Sequence, residues 1–355
     1  MVLSLLKVFT PAFIAFCIGI GITPLLTHYL YKYKIWKKKP GKIALDGTDA
    51  LEFGKLRTEI ETKTPRMGGI VVWGSVGITT ILLYALDRFF PGSWASKFDF
   101  FSRSQTWIPF TTLILGSLMG LLNDTLDVMN PEGEKGIHLR YRLVFVSFIA
   151  LFIGWWFYAK LGANSISLLF GGTVFVGWGI IPIFIFVMVF LYASGVIDGI
   201  DGLSGGVFGS IFFAYALIAF YQNQIDIAAF SATVVGALLA FLWFNIPPAR
   251  FWMTETGSMG LTMTIATIAF MTDTLGEGRG VSVLPIIALI LVATVLSNIV
   301  QVFSKKFRRG KKVFRIAPLH HHFEAIGWPG SKVTMRYWIL SIVFAIVGVS
   351  LALLK

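Results

Sequence analysis

Long apolar runs alternate with short polar segments along this chain. A helix crosses a membrane with about 20 apolar residues, because each residue advances it by about 1.5 Å through a hydrocarbon layer about 30 Å thick. Runs of this kind, some slightly shorter, occupy residues 8–30, 68–88, 107–123, 142–162, 173–194, 205–221, 228–246, 258–273, 281–303 and 334–354. The pattern predicts an all-α polytopic membrane protein, with about ten transmembrane helices in a single domain over residues 1–355.

The first apolar run, residues 8–30, is too long for the apolar core of a signal peptide, and no small-residue cleavage site follows it. We therefore interpret it as a retained first span. The composition agrees with the membrane class, since 56% of the residues are hydrophobic and only 14% are charged. A typical soluble domain has about 25% charged residues. The single cysteine, Cys17, allows no internal disulfide.

Lysine and arginine concentrate in alternate loops. Of the 30 such residues, 23 lie in the segments on one predicted side of the membrane, which are 31–67, 124–142, 195–204, 247–257 and 304–336. Basic loops stay in the cytoplasm and attract anionic lipid. These segments are therefore predicted to be cytoplasmic and both termini extracytoplasmic. The net charge of +12 is explained in this way, so a nucleic-acid partner is not expected.

Two pairs of aspartates lie at the cytoplasmic ends of predicted spans. Asp124 and Asp127 end the third span, and their spacing of three places them on one helical face. Asp198 and Asp201 have the same spacing in the glycine-rich stretch "GVIDGIDGLSGG". Two carboxylates on such a flexible turn suit a divalent cation, or a hydroxyl or phosphate that approaches the backbone closely. A solvated helix end for the first pair, and a turn with a helix cap for the second, are the alternatives.

Glu255 is the only acid of the stretch "FWMTETGSMG", at the predicted start of the eighth span. It is a candidate ligand for a metal. An acidic residue is also favourable at any helix start, because the helix dipole is positive there. Both interpretations are open at this point.

Cations and histidines complete the set of polar groups on this side. Lys63 and Arg66 flank a turn in "ETKTPRMGGI", where they could bind phosphate or anchor the chain at the membrane surface. The stretch "APLHHHFEAIGW" contains His320, His321 and His322 after a block of lysines and arginines. Zinc is not expected, because zinc sites use thiolates or spaced histidines. The combination predicts a magnesium-dependent reaction on phosphates at the membrane surface.

Four sequence blocks resemble one enzyme family. "TPRMGG" at 64–69, "DGIDGL" at 198–203, "TETGS" at 254–258 and "PLHHHFE" at 318–324 resemble, in this order, the blocks of phospho-N-acetylmuramoyl-pentapeptide transferase. The ten-span layout matches as well, so the resemblance covers essentially the whole chain. The last block is specific, since related enzymes that use UDP-N-acetylhexosamine differ there.

The resemblance implies an activity, a cofactor and a location. Phospho-MurNAc-pentapeptide would move from its UDP carrier to undecaprenyl phosphate, giving lipid I and UMP. Mg²⁺ would be required, and the active site would face the cytoplasm from the bacterial inner membrane. The family also implies a homodimer.

The residues expected at this site fall into three groups. Magnesium is assigned to Glu255 with Asp124, and the catalytic positions are Asp124, Asp198 and Asn123. The nucleotide-sugar is assigned to Asp201 and to His320, His321 and His322. The phosphates are assigned to Lys63, Arg66 and Arg140.

The chain departs from the family at several of these positions. Asn123 replaces the first of two adjacent aspartates, and Asp127 replaces a lysine. Gly195 and Tyr192 stand where the family has asparagines. In the "GDTGS" block of the family, Glu255 replaces the metal-binding aspartate and Thr254 the preceding glycine.

Other functions remain open on the sequence. One is a sister transferase that uses a UDP-N-acetylhexosamine, which the histidine block disfavours. Another is a binding-only homologue, consistent with Asn123 and Gly195. A transporter is disfavoured, because its charged groups would be expected near the bilayer midplane.

Overall fold

The structure, a computed structural model, describes residues 1–36, 62–102, 104–129, 136–275 and 278–354. Parts of two predicted cytoplasmic loops, 37–61 and 130–135, lie outside the described residues.

The helices, numbered in chain order, are α1 (Val2–Lys32), α2 (Gly69–Phe89), α3 (Trp107–Met129), α4 (Leu139–Leu161), α5 (Ile180–Ala193), α6 (Leu203–Tyr221), α7 (Ile225–Asn245), α8 (Glu255–Thr274), α9 (Gly280–Ile287), α10 (Leu289–Phe307), α11 (Leu319–Ala325) and α12 (Gly330–Leu353). Two short strands, β1 (Ser165–Ser167) and β2 (Thr173–Phe175), form an antiparallel hairpin between α4 and α5. Within the described ranges, nine helical segments are long and apolar enough to cross a membrane. They confirm the predicted all-α polytopic membrane class.

Helix α8, which contains the predicted span 258–273, is not one of these nine segments because it is less apolar. It is nevertheless buried from Thr256 to Asp273, with α2, α3, α4, α5, α6 and α9 packed around it. Several of its threonine hydroxyls are satisfied within the helix, as in the hydrogen bonds from Thr264 to the Gly260 carbonyl and from Thr262 to the Ser258 carbonyl. A helix enclosed by protein does not need an apolar surface towards lipid.

Two predicted spans have different boundaries in the structure. The run 173–194 begins with strand β2 and a 3-10 turn at Gly177–Gly179, so its helix starts only at Ile180. The run 281–303 is divided at Ala288 into α9 and α10. Pro285 lies in α9, where its ring nitrogen cannot donate a helical hydrogen bond. Hydropathy alone could not distinguish these runs from continuous helices.

The bundle has two ends with different chemistry. At one end, Lys7 of α1 forms an ion pair of 2.7 Å with Asp226 at the start of α7. Asp273, at the end of α8, accepts a hydrogen bond from the Ser167 amide at this same end. The opposite end carries the start of α2, the end of α3 and the start of α8, and the candidate site lies there.

Glycines allow α3 and α8 to approach closely at the site end. Gly116 packs on the backbone of Gly260, and a Cβ atom on Gly120 would overlap the carbonyl group of Glu255. The close contact fixes the start of α8 beside the end of α3.

Candidate functional site

Two of the sequence blocks pair through their backbones. The Gly68 amide donates to the Trp252 carbonyl at 2.7 Å, and the Trp252 amide donates to the Pro65 carbonyl at 2.9 Å. The Met67 amide donates to the Thr254 hydroxyl at 3.1 Å. The segment before α2 therefore lies directly against the segment before α8.

Both paired segments contain a residue in an unusual backbone conformation. Met67 has φ +67°, and Thr254 has φ +55° with ψ −167°. The second combination is adopted almost only by glycine, and such strain persists where surrounding contacts impose it. A threonine in this conformation introduces strain at the site.

Asp124, at the end of α3, is buried and receives four hydrogen bonds. Its Oδ2 accepts from the Thr254 hydroxyl at 2.5 Å, from the Thr256 amide at 2.8 Å and from the Thr256 hydroxyl at 2.7 Å. Its Oδ1 accepts from Nη2 of Arg66 at 2.9 Å. The side chain joins the end of α3 to the start of α8.

Arg66 bridges the two acids of α3. Its Nη1 lies 2.6 Å from Oδ2 of Asp127, in addition to the contact with Asp124. Burial lowers the pKa of Arg66, but Asp124 and Asp127 more than compensate and hold this pKa above its ordinary value. Asp127 thus has a cationic partner. Within the described residues, the Nε atom of Arg66 is buried and makes no hydrogen bond.

Glu255 is the first residue of α8, as predicted, and pairs with an arginine that the sequence did not single out. Nη1 of Arg142, in the first turn of α4, donates to its Oε1. The Tyr192 side chain also interacts with this carboxylate. Among the described residues, however, no hydrogen bond of acceptable geometry reaches the buried Oε2 atom.

The predicted phosphate ligand Arg140 is exposed, with its guanidinium over the ring of Tyr141.

Asp198 connects the glycine-rich loop to the start of α8. Its Oδ1 accepts from the Ser204 hydroxyl at 2.7 Å, and its Oδ2 accepts from the Thr254 amide at 2.6 Å. Gly195 lies close by, since a Cβ atom there would come within 3.2 Å of the Ser258 hydroxyl.

Asp201 holds the glycine-rich loop on the segment between α7 and α8. Its carboxylate accepts from the Ala249 amide and from the indole nitrogen of Trp252, both at 3.0 Å. Asn245 strengthens the same contact, because it accepts from the Gly202 amide and donates to the Phe251 carbonyl. In the sequence, only the position of Asn245 at the end of a long apolar run distinguished this polar residue.

Two of the three histidines lie against the glycine-rich loop. His320 and His321 are buried in α11, and a Cβ atom on Gly199 would come within 2.7 Å of Nε2 of His320 and 2.6 Å of Nε2 of His321. Nδ1 of His321 lies 2.7 Å from Glu324. His322 is separate: it is partly exposed and accepts from the Arg315 amide through Nδ1.

The remaining predicted residues lie at the edges of this cluster. Oδ1 of Asn123 accepts from the Ile137 amide at 2.9 Å, so this side chain holds the segment before α4. Lys63 is exposed. The roles assigned to these residues from the sequence stay predictions.

The donor set can be compared with the needs of a magnesium ion. In the part of the chain that the structure describes, no group of three or more acids, histidines or cysteines is arranged to enclose a metal ion. The one buried carboxylate oxygen of the site without a hydrogen bond among those residues is Oε2 of Glu255. Magnesium is commonly held by one or two carboxylates, with water and substrate phosphates completing its shell. The residues fit an ion of that kind rather than an all-protein metal cage.

Comparison with known proteins identifies the class first. Residues 106–273 match the model of glycosyl transferase family 4, and this region includes both aspartate pairs and Glu255. Together with the membrane-spanning helices, the match defines a membrane-bound phospho-sugar transferase.

Full-length relatives identify the family within this class. The chain is 34% identical to the phospho-N-acetylmuramoyl-pentapeptide-transferase of Geobacillus sp. (strain WCH70), with 95% of each chain covered. It is 32% identical to that of Anoxybacillus flavithermus over 95% of each chain, and 31% identical to that of Bacillus subtilis over 94% of each. The chain belongs to the phospho-N-acetylmuramoyl-pentapeptide-transferase family.

Proposed function

We propose that this enzyme transfers phospho-MurNAc-pentapeptide from UDP to undecaprenyl phosphate, giving lipid I and UMP for peptidoglycan synthesis. The observation that carries the proposal is the meeting of four sequence blocks that are far apart in the chain. The blocks around Arg66, Asp198 and Thr254 join through Asp124 and the Thr254 backbone. The histidine block meets the same loop at Gly199.

The proposed enzyme is a single transferase domain in the bacterial inner membrane, with its site facing the cytoplasm and both termini outside. The positive-inside asymmetry supports this orientation. The described basic residues Arg66, Arg142 and Arg315 lie at the site end of the bundle, and the cytoplasm is where a UDP-linked substrate would be available. A homodimer, implied by the family, stays a prediction.

The lipid substrate needs a route from the bilayer to the site. An apolar groove of about 600 Å³ lies between α4, α5 and α10, lined by residues such as Phe186, Val189 and Ile299. It extends to Ala193, two residues before Gly195. We assign this groove to the undecaprenyl chain, whose phosphate would then lie beside the glycine-rich loop.

In the reaction, an oxygen of undecaprenyl phosphate attacks the phosphorus that carries the sugar. The bond from this phosphorus to the UMP oxygen breaks, and the new diphosphate links lipid and sugar. A phosphate monoester has a second pKa of about 6 and is largely dianionic at pH 7. The nucleophile therefore needs no base, which makes Asn123 compatible with catalysis.

The site residues are assigned roles in binding and charge stabilisation. Arg66, through its free Nε, and Lys63 would bind phosphate oxygens, with Arg140 at the rim. The sugar nucleotide would lie along Asp201, His320, His321 and His322, and Asp198 would orient the loop beneath it. Magnesium would be held by Oε2 of Glu255, close to Asp124, and would neutralise the charge of the leaving diphosphate.

The test is UMP release by detergent-purified protein supplied with undecaprenyl phosphate and Mg²⁺. UDP-MurNAc-pentapeptide and UDP-N-acetylglucosamine are compared as donors. Release with the muramyl donor alone supports the proposal. Release only with the other donor would move the enzyme to the sister class, and binding without release would indicate a binding-only homologue.

Replacement of Glu255 tests the magnesium assignment. Glu255→Gln keeps the side-chain volume but removes the charge, so UMP release at saturating Mg²⁺ should fall at least about 100-fold, as expected when metal stabilisation of several kcal/mol is lost. The magnesium titration is the measurement, and an unchanged thermal unfolding profile is the control. Wild-type turnover in the variant would contradict the assignment.

A further inference from the structure

The Arg142–Glu255 ion pair has unsatisfied atoms on both of its sides. Among the described residues, Nε of Arg142 and Oε2 of Glu255 are both buried and no hydrogen bond of acceptable geometry reaches either atom, although the Tyr192 side chain also interacts with the Glu255 carboxylate. A buried polar group without a partner costs about 1–3 kcal/mol, so native proteins rarely leave one unpaired. Here an unused donor and an unused acceptor belong to the same pair, which identifies the pair as incomplete.

The missing partners have opposite charges. The Nε donor of the Arg142 cation suits an anionic oxygen, and Oε2 of the Glu255 carboxylate suits a cation. A divalent ion bound to a diphosphate supplies both in one unit. The pair is also accessible, since the Arg142 and Glu255 side chains are 17% and 30% exposed.

The surrounding charges distinguish this pair from the neighbouring one. Arg66 is held by Asp124 and Asp127 at once. Arg142 has an ion pair with Glu255 alone among the described residues. Release of Arg142 therefore breaks one ion pair, whereas release of Arg66 would break two.

We propose that Arg142 is the internal counter-ion of Glu255 in the free enzyme and exchanges it for the diphosphate of the nucleotide-sugar when the divalent ion binds Glu255. This inference rests on the proposed function and adds a substrate-binding residue to it. Arg142 and the ion compete for Glu255, whereas Glu255 and the diphosphate compete for Arg142. The ion therefore binds the free enzyme weakly, and the pair opens only when both ligands are present.

The competition predicts that each of two variants binds a different ligand more tightly than wild type. The affinity for each ligand is measured in the absence of the other. Mn²⁺ alone, followed by electron paramagnetic resonance, should bind Arg142→Gln at least about five-fold more tightly than wild type, because Glu255 has lost its counter-ion. UDP alone, without metal, should bind Glu255→Gln at least about five-fold more tightly, because Arg142 is released. UDP should bind Arg142→Gln more weakly than wild type.

Three further variants serve as controls for these measurements. Arg88→Gln removes an exposed arginine at the far end of α2, about 30 Å from Gly69 by the helical rise, and should leave both affinities unchanged. Arg142→Lys retains the charge, so it should bind Mn²⁺ as weakly as wild type. Arg142→Gln combined with Glu255→Gln leaves no unpaired charge, and it should lose the gain in Mn²⁺ affinity.

A purely structural ion pair would give another result. Both single variants would then bind both ligands as wild type does, or more weakly, and either result overturns the exchange. Absence of Mn²⁺ and UDP binding to folded wild type when both ligands are supplied together overturns it too. If the exchange is observed but no donor releases UMP, the proposed function fails while the exchange stands.

Discussion

At the residue scale, the site is stabilised by carboxylates that accept hydrogen bonds from several segments at once. Asp124 receives four donors from two segments, the one before α2 and the start of α8, and Asp198 connects the glycine-rich loop with the start of α8. Hydrogen bonds to an ionised acceptor are stronger than neutral ones, so these acids define the positions of the loops. Thr254 is the point at which this network imposes a strained backbone.

Substitution of Thr254 separates strain from hydrogen bonding. Thr254→Ala and Thr254→Gly both lose the hydroxyl that donates to Asp124, but only glycine adopts φ +55° and ψ −167° without strain. Thr254→Gly should therefore be more stable than Thr254→Ala by about 1–3 kcal/mol. Thermal unfolding in detergent measures the difference. Equal stability of the two variants would show that the conformation is not strained.

At the element scale, the site depends on how closely helices approach one another. Helix α3 meets the start of α8 at Gly120, and the glycine-rich loop meets α11 at Gly199. Neither contact leaves room for a side chain. Small residues commonly permit such close approach between helices in membranes.

Enlargement of Gly120 should separate α3 from α8. Gly120→Ala places a methyl group against the Glu255 carbonyl and should lower stability by about 1–3 kcal/mol, as overpacking does. Gly209→Ala in α6 is the matched control, because no atom lies within 4 Å of its added Cβ. Unfolding and UMP release should both be impaired only in the first variant. Equal behaviour of the two would contradict the close contact.

At the scale of the whole molecule, the bundle separates its two polar ends. The site end combines acids with arginines and histidines. The opposite end has the Lys7–Asp226 ion pair and Asp99, which is half-buried in the loop after α2 and accepts a hydrogen bond from the Phe101 amide. Burial raises the pKa of Asp99, and the nearby Asp87 raises it further, against the effect of that hydrogen bond and of Lys7.

The raised pKa of Asp99 predicts a dependence of stability on pH. The folded protein binds the proton more tightly than the unfolded chain, so this residue makes folding less favourable as the pH rises from the ordinary carboxyl pKa to the raised one. Asp99→Asn, which retains an acceptor for Phe101, should raise the melting temperature at pH 7 and change it little near pH 4. UMP release should be unchanged. A destabilised variant at pH 7 would contradict the assignment.

Local sequence already determined the membrane class, nearly all of the spans and the blocks that carry the family resemblance. Hydrophobic length and turn composition are local properties, so they can be read directly from residues such as those of α1 and the "DGIDGL" loop. The start of α8 at Glu255 was predicted in the same way.

Only the tertiary structure decided which polar residues are partners. Asp127 and Arg66 are 61 residues apart, and Glu255 and Arg142 are 113 apart. Arg140 and Arg142 are two residues apart, so α4 directs their side chains towards different neighbours. Nothing in the local pattern indicated which of the two would reach the site. The burial of α8 was equally hidden, since its threonines are acceptable in a membrane only where other helices surround them. Pairing and enclosure depend on packing between distant segments, which a one-dimensional pattern does not contain.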